Sequence, residues 1–245
     1  MNVLPTDKQT AIIAALTEGC SIRAVERLTG VHRDTIMRLG VNVGIGCAKL
    51  HNAIMRDLRV SRIELDEIWQ FVGKKRRQVT EDDPPEIGDQ YTFLALDGTS
   101  KAILAHRTGK RDMRNTQFFI DDLRERVMGA PEISSDAFRA YPRAIEKAFG
   151  ANVHFGTIDK TYAADPGAVE AWRRYSPGNV VAVQRQVVSG YPLTISTSYI
   201  ERQNLTLRMS QRRFTRLTNG FSKKIQNHDH MMTLYYMHYN FARRH

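Results

Sequence analysis

A change of period near residue 60 constrains this chain more than any other feature. Before it, apolar residues recur at helical spacing. After it, SRIELDEIWQFVG alternates like a strand, setting Ile63, Leu65 and Glu67 opposite Glu64, Asp66 and Ile68. YTFLALDG and KAILAHRTG predict two more strands, joined at Asp97-Gly98, where a tight hairpin turn would use glycine at positive φ. The polar, proline-bearing stretch KKRRQVTEDDPPEIGDQ reads as a loop or hairpin excursion. NTQFFIDDLRERV then predicts an amphipathic helix with an asparagine cap, PEISSD a short buried strand, AFRAYPRAIEKAF a helix and NVHFGTID another strand. Three sequential strands followed by strands alternating with helices predict an α/β fold. Its mixed sheet should be flanked by helices, with the antiparallel part first. Residues 160–198 lack a clear period and read as an inserted segment. Two helices should close the chain, separated near Thr218-Asn219-Gly220. The second carries a core-facing stripe of Met231, Leu234, Tyr235, His238 and Phe241.

The first 60 residues predict a small all-α helix-turn-helix domain. IRAVERL and HRDTIMRLG are separated by Thr29-Gly30-Val31, where glycine lets the chain reverse, and Val25, Leu28, Val31 and Ile36 can pack the two helices. His32, Arg33, Thr35 and Arg38 would then face outward, with the chemistry that reaches phosphates and base edges in a major groove. Residues 40–60 read as a further helix or connector, and residues 61–245 as a second domain with a basic helical C-terminus.

Charge is distributed to match. Residues 1–62 carry 9 Lys/Arg against 5 Asp/Glu, residues 63–200 carry 18 against 19, and residues 201–245 carry 9 against 2. A neutral body with cationic ends suits a chain that grips a polyanion such as DNA around a cation-binding centre. With 245 residues, 42% of them apolar, the chain can bury a substantial core, and it has no apolar run long enough to span a bilayer. The N-terminus carries no secretory pattern, so a cytoplasmic location is expected. Cys20 and Cys47 have neither zinc-finger spacing nor disulfide-scaffold density and read as ordinary thiols.

Three carboxylates stand out by context. Asp66 sits in an otherwise apolar strand beside Trp69 and Phe71, where an unpaired charge is costly. Asp136 lies where a strand gives way to a helix. Glu201 is on a basic helix with Arg208 two turns along the same face. If the three converged, their oxygens would suit magnesium, or manganese in its place, and two such ions can drive phosphodiester chemistry. Arg212 and Arg213 continue the basic run from Arg208 and are candidates to hold a DNA strand.

ELDEIWQFVGKK, SSDAFRAY, SYIERQNLTLR and RRFTRLTNGFSKK together resemble the catalytic segments of the DDE transposases of the insertion sequence one family, over roughly residues 63–241. The resemblance implies a ribonuclease H-like core and divalent-metal ligands at Asp66, Asp136 and Glu201. It also implies a basic position at Arg208, and a bacterial enzyme that nicks transposon ends and joins the freed 3′-hydroxyl to target DNA. Synapsis of two ends implies a homo-oligomer acting on the nucleoid. Some members begin with a cysteine zinc finger, which this chain lacks, and its Asp136–Glu201 interval is longer than in the commonest DDE enzymes.

Other acidic and basic groups have simpler readings. Alternation sends Glu67 to the face opposite Asp66, Asp97 belongs to a turn, and Asp159 is a rival carboxylate near the metal. His228 and His230, two residues apart, cannot share a helix face and read as solvated or capping. Lys74 to Arg77 suit a DNA-contacting hairpin or a charged strand edge, while Trp172, Arg173 and Arg174 suit DNA or another subunit. Two other functions compete with the transposase: an inactive DNA-binding regulator, which needs no carboxylate triad, and a metal nuclease without strand transfer.

Overall fold

In the computed structural model, residues 3–163, 180–215 and 219–243 are described. Helices α1 (Thr6–Thr17), α2 (Ile22–Thr29) and α3 (Arg33–Ile54) lead into strands β1 (Arg62–Val72), β2 (Gly88–Asp97) and β3 (Ile103–Gly109). Helix α4 (Met113–Arg126), strand β4 (Glu132–Asp136), helix α5 (Ala140–Phe149) and strand β5 (His154–Tyr162) follow. Strand β6 (Val180–Ser189) and helices α6 (Ser198–Ser210) and α7 (Ile225–Phe241) come last. The strands make one six-stranded sheet in the order β3-β2-β1-β4-β5-β6. Strands β1, β2 and β3 are antiparallel neighbours, β1, β4 and β5 are parallel, and β6 returns antiparallel to β5. This is the α/β arrangement that the sequence predicts, a mixed sheet flanked by helices, extended by β6 at one edge and preceded by a helical region.

The alternation in β1 and β2 divides two cores. Ile63, Leu65, Phe93 and Ala95 pack against Phe119, Ile120 and Leu123 of α4 and Tyr141 and Ile145 of α5. Ile68, Leu94 and Leu96 face the other way. They share a core with Ile200 and Leu207 of α6, Met232 and Tyr235 of α7, and Ile12, Leu16, Val25 and Ile36 of α1–α3. The N-terminal helices therefore contribute to the core of the sheet. Helix α3 runs unbroken for 22 residues, so residues 40–54 continue the second helix of the helix-turn-helix. Gly44 allows α7 to lie close against it: a Cβ there would come within 2.3 Å of the His230 carbonyl. At the other end of α3, Arg126 of α4 donates to Asn52 Oδ1 at 2.5 Å and Asp122 Oδ2 at 2.8 Å, and to His51 Nδ1 at 3.3 Å.

Several local expectations change. Val25, Val31 and Ile36 are buried as the helix-turn-helix requires, but Leu28 is 73% exposed. Gly30 takes the left-handed conformation, φ 68°, as the α2–α3 turn demands. Between β2 and β3 the positive φ falls on Lys101 (66°), not on Gly98. Asp97 folds that turn by accepting from the Thr99 and Ser100 amides. At Gly98 the Arg62 guanidinium occupies the place a side chain would take. The cap of α4 is Asp112, accepting from the Asn115 amide at 2.8 Å, not an asparagine.

Part of the segment read as inserted, residues 160–198, belongs to the sheet: β5 continues to Tyr162, and β6 pairs along it from Tyr162↔Val180 to Phe155↔Ser189. Trp172, Arg173, Arg174, Arg216 and Thr218 lie outside the described residues. Of the C-terminal stripe, Met231, Leu234 and Tyr235 are buried, whereas Phe241 is exposed. No helix among the described residues is long and apolar enough to cross a membrane.

Candidate metal centre

The site begins with strand register. The parallel pairing of β1 with β4 ends at Glu64↔Ser134, and two residues further along each strand stand Asp66 and Asp136. Beyond that last pair, the gap between the strands can be reached from both faces of the sheet. Asp66 enters from the α6 side. Its Oδ1 accepts from the Glu67 amide at 2.8 Å and its Oδ2 from Asn204 Nδ2 at 2.7 Å. Glu67 enters from the α5 side, with its side chain only 2% exposed. Asp136 closes the gap, its Oδ1 accepting from the Phe138 amide at 3.0 Å as the chain turns towards α5. Carboxylate oxygens of Asp66, Glu67 and Asp136 lie within 4.8 Å of one another.

Glu67 thus does lie on the opposite face, as alternation predicts, and is nevertheless part of the site. An acidic pair inside an otherwise apolar strand is the signal that could have found it. Its Oε2 accepts from Arg111 Nε at 3.3 Å, while its Oε1 is buried without a hydrogen-bond partner. The Tyr141 hydroxyl approaches Glu67 without closing a hydrogen bond, and it too is buried and unpartnered.

Electrostatics follow from this crowding. Burial first, then the Asp136 charge, pushes Asp66 up to about 7, with Glu201 adding to the rise. Burial and Asp136 push Glu67 up to about 8. Asp136 itself is raised chiefly by burial, and also by Asp159 and Glu201, against the opposing pull of the Phe138 amide and Arg111. Enclosed anions that repel one another and retain an orphan oxygen gain from a cation in their midst. A donor set made only of carboxylate oxygens fits a hard divalent ion.

Glu201 stands outside this tight cluster and is exposed, but lies near enough for its charge to raise both aspartates. Thr197 Oγ1 donates to Glu201 Oε1 at 2.6 Å, and the Lys160 ammonium pairs with the same oxygen. Helix α6 is held to the sheet by Glu64, two residues before Asp66. The buried Glu64 carboxylate accepts from the Tyr199 and Ile200 amides at 2.8 and 3.0 Å, capping the α6 N-terminus from a distant strand. This places Asn204 against Asp66 in the middle of β1, with Glu201 one turn before it on α6. The rival Asp159 is exposed on β5, one residue past its last pair with β4, and near enough to raise Asp136.

The basic candidates divide by direction. Arg33 and Arg38 are exposed on α3 and Thr35 is half-buried between them. The α3 N-terminus is fixed by Glu26 Oε1, which accepts from the Arg33 amide at 2.9 Å. Arg212 is exposed, whereas Arg208 donates to the Phe214 carbonyl at 3.3 Å. Arg213 turns inward, donating to Ser222 Oγ at 2.9 Å. That hydroxyl also meets Nδ1 of His228, whose Nε2 accepts from Gln70 Nε2 at 3.3 Å. His228, expected to be solvated or capping, is fully buried, and burial followed by the Arg213 charge keeps its proton affinity well below the ordinary histidine value.

No family model and no curated protein matches the sequence. Among solved structures, the chain is similar to the piggyBac transposase in its synaptic complex with hairpin DNA, with a TM-score of 0.45 and 8% identity. That match covers 96% of this chain and 66% of the other, so this chain spans just under two thirds of its length. It also matches a chain of a pre-cleavage Mos1 transpososome, with a TM-score of 0.22 and 9% identity, covering 100% of this chain and 82% of the other. Likeness at these scores carries no weight for function, which has to be argued from the site.

Proposed function

We propose that this chain is a metal-dependent DNA transposase of the DDE kind, similar to the insertion sequence one enzymes, with Asp66, Asp136 and Glu201 as its metal-holding carboxylates. The observation that supports this reading is the meeting of Asp66 and Asp136 just past the point where β1 and β4 stop pairing, with Glu201 on α6 near enough for its charge to act on both. Magnesium or manganese, when bound there, supplies activation of the attacking oxygen and charge stabilisation at phosphorus. The remaining work belongs to the chain's own side chains. Asn204 orients Asp66, Glu64 sets the position of Glu201, and Arg208 and Arg212 lie beyond Glu201 on the route a DNA strand would take.

In this reading residues 1–60 recognise terminal repeats through Arg33, Thr35 and Arg38, and residues 61–245 carry the chemistry. The reaction is nicking at the transposon ends, then joining of the 3′-hydroxyl to target DNA. It takes place in the cytoplasm on the nucleoid, in a homo-oligomer that pairs two ends.

The test uses Asp66→Asn and Glu201→Gln. Each is expected to lower nicking of end DNA by about 100-fold or more, because several kcal/mol of transition-state stabilisation pass through the metal ligands. End-DNA affinity should stay within about twofold of wild type, while Arg33→Ala and Arg38→Ala weaken binding and lower its salt slope by about one per lost phosphate contact. Wild-type nicking by either carboxylate variant removes that residue from the site. Nicking without joining by the wild type would favour the nuclease reading instead.

A further inference from the structure

Arg111 lies in the short connection between β3 and α4, well apart in sequence from Asp66, Asp136 and Glu201. Its Nε donates to Glu67 Oε2 at 3.3 Å and its Nη2 to Asp136 Oδ2 at 3.1 Å. One planar guanidinium thus bridges two members of the carboxylate cluster. The group is held against the Phe138 ring, 4.0 Å from its centroid, with Tyr91 further off at 5.9 Å. Its side chain is 36% exposed and that of Asp136 41%, whereas Glu67 is 2% exposed, so the cation lies on the solvent side of Glu67. An ammonium could not make this bridge, because it lacks the fork that reaches two carboxylates from one aromatic slot.

The oxygens involved matter. Asp136 Oδ1 is engaged by the Phe138 amide and Oδ2 by Arg111, and Glu67 has its Oε1 orphaned and its Oε2 taken by Arg111. A divalent ion seated among Asp66, Glu67 and Asp136 would draw on the same Asp136 and Glu67 oxygens. Ion and guanidinium therefore compete. A displaced Arg111 would remain beside the site, because the Phe138 face holds a guanidinium without using its hydrogen-bond donors. Its fork would then be open to a non-bridging phosphate pair. Lys160, paired with Glu201 from β5, repeats the arrangement on the α6 side.

We propose that Arg111 is a resident competitor for the metal centre, holding Glu67 and Asp136 until a divalent ion takes them, and thereafter a positioning residue for the backbone phosphate of bound DNA. This rests on the metal-centre reading above, with Glu67 beside Asp66 and Asp136 as a further oxygen donor to the ion. The test is calorimetric titration of Mn²⁺ and Mg²⁺ into the full chain, as wild type, Arg111→Gln and Arg111→Lys. Removing a partly exposed ion pair that opposes the metal should tighten binding by about three- to tenfold in Arg111→Gln, with Arg111→Lys between it and wild type. With metal present, Arg111→Gln should also lower the salt slope of end-DNA binding by about one.

Unchanged or weaker metal affinity in Arg111→Gln, with wild-type circular dichroism, overturns the competitor role. If Arg111→Gln does not fold, Arg111→Lys decides, and an affinity equal to wild type overturns the role in the same way. Absence of divalent binding by the wild type would instead overturn the metal-centre reading, and this inference with it.

Discussion

At the scale of single residues, the site is organised around charges that the fold keeps unfavourable. Asp66 titrates at about 7 in the folded chain, against about 3.9 for an aspartate in an unfolded one. The folded state therefore binds this proton more tightly. Its contribution to stability is fully present below the unfolded value and is lost as pH rises through about 7, and that of Glu67 is lost through about 8. Asp66→Asn removes the buried charge and keeps the acceptor for the Glu67 amide. The Asn204 amide can turn its own orphan Oδ1 towards the new Nδ2. We expect the melting temperature without divalent ions at pH 8 to rise by roughly 2–4 °C, about 1 kcal/mol for a chain of this size, and the pH 5 to pH 8 difference to shrink. Scanning calorimetry at both pH values checks this, and a lower melting temperature for the variant at pH 8 would count against it. A site that is more stable when disabled is the pattern expected of function held at a cost to stability.

At the scale of elements, α6 is the piece whose position matters most. Its first turn is capped by Glu64, a strand residue more than a hundred positions earlier, and its middle is tied to Asp66 through Asn204. Glu64→Ala leaves the Tyr199 and Ile200 amides without their acceptor. That should cost about 1–3 kcal/mol and let Glu201 drift from the aspartates. Nicking should therefore fall more steeply than end-DNA binding, as compared in one gel assay and one anisotropy titration. Equal losses in both would mean that Glu64 serves stability alone. Alternation in β1 made the faces of Glu64, Asp66 and Glu67 legible from sequence. It could not reveal that β4 stops pairing with β1 at Ser134, so a correct argument about faces leaves Glu67 out of the site. Neither the Lys160–Glu201 pair nor the Arg111 bridge had a sequence signal, because each joins residues from connections and strand ends far apart in the chain.

For the whole molecule, the helical N-terminal region and the sheet, to which DNA recognition and chemistry are assigned in the proposed function, share one core. Ile12, Leu16, Val25 and Ile36 belong to the same core as Ile68, Leu94, Ile200 and Tyr235, and Arg126 joins the end of α3 to α4. Residues 61–245 expressed alone would expose that side of the core. We expect a fragment without a cooperative melting transition that binds a hydrophobic dye. A cooperative transition near that of the full chain would show that the catalytic part folds independently.

The sequence by itself determined the order of elements, the mixed sheet, the turn of the helix-turn-helix and the candidacy of Asp66 and Asp136. Those follow from periodicity, glycine geometry and the cost of a charge in an apolar strand, all of which act over a few residues. Only the tertiary structure decided that Glu67 joins the carboxylates, that Arg213 and His228 face inward, that β6 extends the sheet and that Arg111 bridges the acidic cluster. The reason is physical: these outcomes depend on where strands part and which distant side chains fill the gap.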